Sequence, residues 1–69
     1  MSKTTYRDQV NAMVEQITII RDEAEKFDNG NESAGRRARV ALMDVSNTLR
    51  EIRKAMLATT EERAEAKKK

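Results

Sequence analysis

The stretch "FDNGNESAGRRARVAL", Phe27 to Leu42, decides the fold, because a helix stop, a turn and a helix start are all written into it. Asp28-Asn29-Gly30-Asn31 offers a glycine able to take the left-handed conformation that closes a helix. Asn29 or Asn31 can then cap a second helix, with Glu32 in its first turn. The connection is only a few residues long, so the helices on either side of it must be antiparallel neighbours.

The same periodicity extends outward from the turn in both directions. Toward the N-terminus the apolar positions are Tyr6, Val10, Met13, Ile17, Ile20, Ala24 and Phe27, stepping by four and three without a slip. That is the seam of a coiled-coil-like helix, and Thr5 followed by Asp8 makes a variant capping box at its start. Toward the C-terminus the seam resumes at Gly35, Ala38, Leu42, Val45, Leu49, Ile52 and Met56. Small Gly35 and Ala38 stand opposite bulky Phe27, the pairing that close approach beside a turn requires. The spacing predicts a first helix over about 5–28, a turn at 29–31 and a second helix over about 32–58. The fold class is therefore all-α: an antiparallel helical hairpin spanning 1–58.

Beyond Met56 the pattern fades. "ATTEERAEAKKK" has high helix propensity but almost no apolar face, so 59–69 reads as a charged extension, helical or frayed. Thr59 with Glu62 is placed to recap a last short segment, and Lys67, Lys68 and Lys69 should be mobile. Val14, Ile19, Val40, Met43 and Leu57 lie off the main seams and need cover. A homodimer, with two hairpins forming a four-helix bundle, would cover several of them.

Composition narrows the function. There is no Cys, His, Trp or Pro, so neither zinc nor copper has its usual ligands and no cofactor is implied. The commonest general base and the best thiol nucleophile are missing too, which argues against an enzyme and against a small-molecule substrate. No apolar run is long enough to cross a bilayer and no secretory signal opens the chain, so the expected location is cytoplasmic, without a membrane partner. Residues 1–31 carry four bases and six acids, a net of −2. Residues 32–69 carry ten bases and six acids, a net of +4. A basic second half points to a polyanionic partner.

The arginines sharpen that pointer. With Gly35 as an a position of the heptad, Arg36 and Arg50 fall at b, and Arg39 and Arg53 at e. These four share one flank of the second helix, as two pairs fourteen residues apart, or about 21 Å along the axis. Met43 and Ser46 lie between the pairs and no acid interrupts the flank. Arg37 and Lys54 lie further round. Charge at outer heptad positions is what any soluble bundle shows. Against that bland reading stands the helix dipole, which makes cations in the first two turns cost a few tenths of a kcal/mol each. A bound phosphate reverses the sign of that cost. No zinc spacing, recognition-helix pattern or aromatic platform is present, so nucleic acid would be held by its backbone with little sequence preference.

"GNESAGRRARVALMDV", with the later "LREIRKAM", resembles the bacterial histone-H1-like nucleoid proteins of the chlamydial type and their short relatives. The shared pattern is Gly30-Asn31, Ala34-Gly35, Arg37, Arg39, Leu42 and Arg53-Lys54, preceded by an amphipathic helix, and it covers about Phe27 to Met56. The resemblance implies non-specific binding and compaction of double-stranded DNA in the nucleoid. It implies phosphate contacts at Arg37, Arg39, Arg53 and Lys54, turn roles for Gly30 and Asn31, and close helix approach at Ala34 and Gly35. Arg36 and Arg50 join that set from the flank geometry instead. Longer members carry an extended Lys/Ala-rich tail where this chain has "KKK", which implies weaker binding or reliance on dimer avidity. Two other functions fit the same pattern. One is a protein-interaction module using Val40, Met43 and Leu57 as anchors. The other is a hairpin dimer that binds structured RNA.

Overall fold

A computed structural model describes residues 4–68 as two helices, α1 (Tyr6–Asp28) and α2 (Glu32–Lys68), folded back on each other as a hairpin. Thr5 caps α1, its hydroxyl oxygen accepting from the Asp8 amide at 3.1 Å. At the other end the amide of Asn31 donates to the Lys26 carbonyl, and that of Gly30 to the Phe27 carbonyl. This nested pair is the Schellman closure, and it places Gly30 at a φ of +100°, where a side chain would be strained. Asn31, one of the two candidate caps, starts α2: its Oδ1 accepts from the Ala34 amide at 3.0 Å. Turn and caps together occupy three residues, which forces the antiparallel pairing.

α2 does not pause at Thr59. The recapping expected there is corrected: the Thr59 hydroxyl donates back to the Ala55 carbonyl at 3.0 Å, and the helix runs on through Lys68. Thr59 faces α1, where the Tyr6 hydroxyl lies 2.5 Å from its Oγ1 and donates to the Ala55 carbonyl. These bonds clasp the open end of the hairpin, as Phe27 against Gly35 closes the turn end. The extension beyond Thr59 outruns α1 and gives the molecule its 60 × 22 × 15 Å extents. Lys67 and Lys68 are part of the helix; the expectation for Lys69 falls outside the described residues.

The core is narrower than the two seams suggest. Its buried side chains are Ile20, Ala34, Ala38, Val45 and Ile52, with Met13 and Ala41 packed against them. On α2 these are the d line (Ala38, Val45, Ile52) and the neighbouring g line (Ala34, Ala41). On α1, lettered the same way, they are the d line through Tyr6, Met13 and Ile20, with Gln9 and Glu23 of the g line half-buried beside it. Away from the turn the a positions of both helices remain open: Val10, Ile17, Leu42, Leu49 and Met56 are all between 42% and 51% exposed. The helices have rolled toward g because Ala34 and Ala41 let the backbones close up there, while the bulkier a residues cannot follow; the a line closes only at the turn, where Gly35 meets Phe27.

Candidate nucleic-acid interface

The direction of that roll sorts every charge on the molecule. In an antiparallel pair the g lines of both helices border one face and the a and e lines border the opposite one. On the g side, a groove is lined by Met13, Gln16, Ala41, Asp44, Val45 and Thr48. The same face carries an ion pair between helices. The Arg37 guanidinium donates to both Glu23 oxygens, Nε to Oε2 at 2.5 Å and Nη2 to Oε1 at 3.2 Å. Lys26 reaches the Glu23 carboxylate at 3.6 Å. Asp44, Glu51 and Glu65, all at c, line this side too, so it is mixed in charge.

Glu23 is the best-tied carboxylate on this face, its side chain 19% exposed. The hydrogen bond from Arg37, aided by the two nearby positive charges, holds its carboxyl below the ordinary 4.5 against a partial desolvation that works the other way. The Arg37 guanidinium is correspondingly raised by the same bond. A carboxyl lowered in the folded state stabilises the fold above its unfolded value, and that contribution is lost as pH falls through the lowered one. Glu23→Gln should therefore lower the melting temperature slightly at neutral pH. In thermal melts the difference from wild type should vanish once the pH is well below 4.5.

The opposite face and its outer edge carry the arginine flank. Arg36 and Arg50 (b) point off the outer edge of α2, and Arg39 and Arg53 (e) lie between that edge and the open a line. All four are exposed, and none makes an ion pair among the described residues. Arg36 and Arg39 border a surface depression with Glu32 and Ser33. Asn31 takes the Ala34 amide, so an anion in that depression would meet the guanidinium forks together with the first-turn amides of Glu32 and Ser33. Lys54, at f, lies next round from the flank and is exposed. Arg37 is separated from it, turned to the other face and held by Glu23. The structure thus gathers four of the six predicted cations, leaves Lys54 adjacent and removes Arg37.

Two cations of the open face were absent from the predicted set. Arg7 and Arg21 occupy the e line of α1 and border the same face as Arg39 and Arg53, and Arg21 lies 4.0 Å from Asp22. Their signal was present in the sequence as a heptad spacing, Arg7-Val14-Arg21. It becomes visible once the first seam is lettered like the second. Among the described residues no helix is long and apolar enough to cross a membrane, and no group of three or more His, Cys, Asp or Glu could hold a metal ion.

A family model described as histone H1-like protein Hc1 matches residues 7–62. The match takes in nearly all of α1 as well as the Phe27–Met56 stretch that carried the resemblance. Comparisons with curated proteins and with solved structures give no match.

Proposed function

The chain belongs to the histone H1-like Hc1 family, and from that premise we propose that it is a non-enzymatic, nucleoid-associated protein that binds duplex DNA by its backbone. The observation that carries this reading is the exposed edge of α2, where Arg36, Arg39, Arg50 and Arg53 stand with no acid between the two pairs and Glu32 only at the turn end. The two pairs are about 21 Å apart along the helix, a span of roughly six base pairs at 3.4 Å each. Lys54 adds a fifth contact on the adjoining side. Arg37 contributes only if it exchanges Glu23 for a phosphate. The hairpin of 1–58 is the DNA-binding unit and 59–69 its charged extension. Two hairpins in a homodimer would present two such edges, and in that form the protein could bridge and compact DNA.

Side chains that meet phosphates and not base edges confer little sequence preference. With about five phosphates neutralised, the logarithm of duplex affinity should fall against the logarithm of salt with a slope near −4 to −5. A mobility-shift titration over a salt series measures it, and competition with an RNA hairpin at matched salt tests the RNA alternative. Absence of any salt-sensitive shift of duplex DNA at low ionic strength would overturn the reading.

A further inference from the structure

The hairpin leaves an unusual amount of surface uncovered. Its accessible area is 6044 Å² at 7.9 kDa, whereas a folded monomer of that mass exposes roughly 4,400 Å². Part of the excess, about 1,600 Å², is the extension of α2 beyond the reach of α1. Much of the rest is the open face, where Val10, Ile17, Leu42, Leu49 and Met56 form two parallel a lines at heptad spacing. A stable dimer needs about 800 Å² from each partner, and this surplus supplies it. The face also has the form of a helix-pair surface: seven-residue repeats on two antiparallel helices fit another pair of the same kind.

The rim of that face is unlike an ordinary bundle rim. Its charged e positions are Arg7, Arg21, Arg39, Arg53 and Lys67 against Asp28 and Glu32 near the turn, with Glu25 beside them on b and Asp22 on f, 4.0 Å from Arg21. Asp44, Glu51, Glu62 and Glu65 are on c or g lines, away from it, while Asp8, Glu15 and Glu61 on the f lines lie next round from it. Two copies meeting face to face would bring cationic rims together without enough acids to neutralise them.

We propose that the open a-line face seats a second copy of this chain, and that its arginine rim opposes this association until anions screen or bind it. Dimer formation and polyanion binding are then coupled, because a polyanion along the rim removes the repulsion that holds the copies apart. The polyanion half rests on the DNA-binding reading; the salt half does not. Coupling of this kind gives the two activities opposite salt dependences. Added salt weakens DNA binding by competing with the phosphates, and strengthens dimerisation by screening the rim.

Sedimentation of the full chain without DNA, from about 10 mM to about 1 M sodium chloride, tests this. Over that range the screening length drops from about 30 Å to about 3 Å, and the dimer dissociation constant should fall at least roughly tenfold. Arg39→Gln with Arg53→Gln should dimerise more tightly than wild type at low salt and lose most of the salt dependence, while binding duplex DNA more weakly. Ile17→Glu and Ile19→Glu locate the face: the two isoleucines are 46% and 58% exposed, two residues apart and on opposite sides of the hairpin. Ile17→Glu should abolish the dimer and Ile19→Glu should leave it intact, with helicity followed for both. Association that weakens with salt, an unchanged Arg39/Arg53 variant, equal effects at Ile17 and Ile19, or a monomer throughout overturns the inference. Failure to shift DNA while the salt series behaves as expected overturns the DNA-binding reading alone.

Discussion

Replacing Arg36 and Arg39 with glutamate is expected to weaken duplex DNA binding by roughly 10²- to 10³-fold near 0.1 M salt. Each phosphate contact contributes about −0.9 to the salt slope, so at that ionic strength each one lost costs nearly a factor of ten. Two lost contacts account for about a hundredfold, and two new negative charges beside Glu32 add repulsion. The salt slope should shrink by about two in the same titration. The fold should survive, since both side chains are exposed, neither is paired among the described residues, and acids in the first turns of a helix suit its dipole. The double variant should therefore melt no lower than wild type. Unchanged DNA affinity would mean that the edge of α2 is only a solvated surface. Arg37→Gln provides the contrast: its guanidinium is engaged with Glu23, so it should reduce affinity less than Arg36→Gln or Arg39→Gln.

Gly35→Ala is expected to destabilise the hairpin by about 1–3 kcal/mol, the usual cost of overpacking. Two effects oppose each other there. Removing a glycine from a helix interior gains about 0.5–1 kcal/mol. Against it, a Cβ at this position would lie 2.6 Å from Cε1 of Phe27 and 3.0 Å from its Cγ. Swinging the ring about its own axis does not relieve contact with Cγ. Phe27 would have to leave its place altogether and give up the half of its surface now covered. Overpacking therefore wins. The interpretation has its own control, because in a Phe27→Ala background the obstruction is gone and Gly35→Ala should become stabilising. Denaturant melts of the four proteins at one fixed concentration would show the change of sign. If Gly35→Ala has the same effect in both backgrounds, the contact with Phe27 is not what selects glycine.

These outcomes depend on features that were unequally legible in the chain. The turn could be read but for the choice between Asn29 and Asn31 as cap: Thr5, Asn31 and Gly30 act through bonds to backbone a few residues away, and such local chemistry is fixed by residue type. The clasp of Tyr6 on Ala55 and Thr59 could not, because it joins residues about fifty positions apart and depends on how far the two helices overlap. Thr59 looked like a cap for that reason. The threonine pattern of a cap and that of a mid-helix hydroxyl bonded to the preceding turn are the same until the partner across the hairpin is known. The arginine edge was legible because heptad position follows from spacing alone. That Arg37 lies further round was legible too; its ion pair was not, since that requires knowing which side of the seam Glu23 occupies.

By itself, the sequence determined two helices, the start of each and the end of the first, their antiparallel order and the line of cations along the second. Each of these follows from backbone capping or from the 3.6-residue period, both properties of a single helix. Only the tertiary structure decided which part of each seam is buried. Helix spacing at the contact is set by the smallest residues that meet there, so Ala34, Ala38 and Ala41 drew the axes together on the d and g lines. That choice left the a lines uncovered. It also placed Arg37 against Glu23 and gave the hairpin one mixed-charge face and one apolar face edged with arginine.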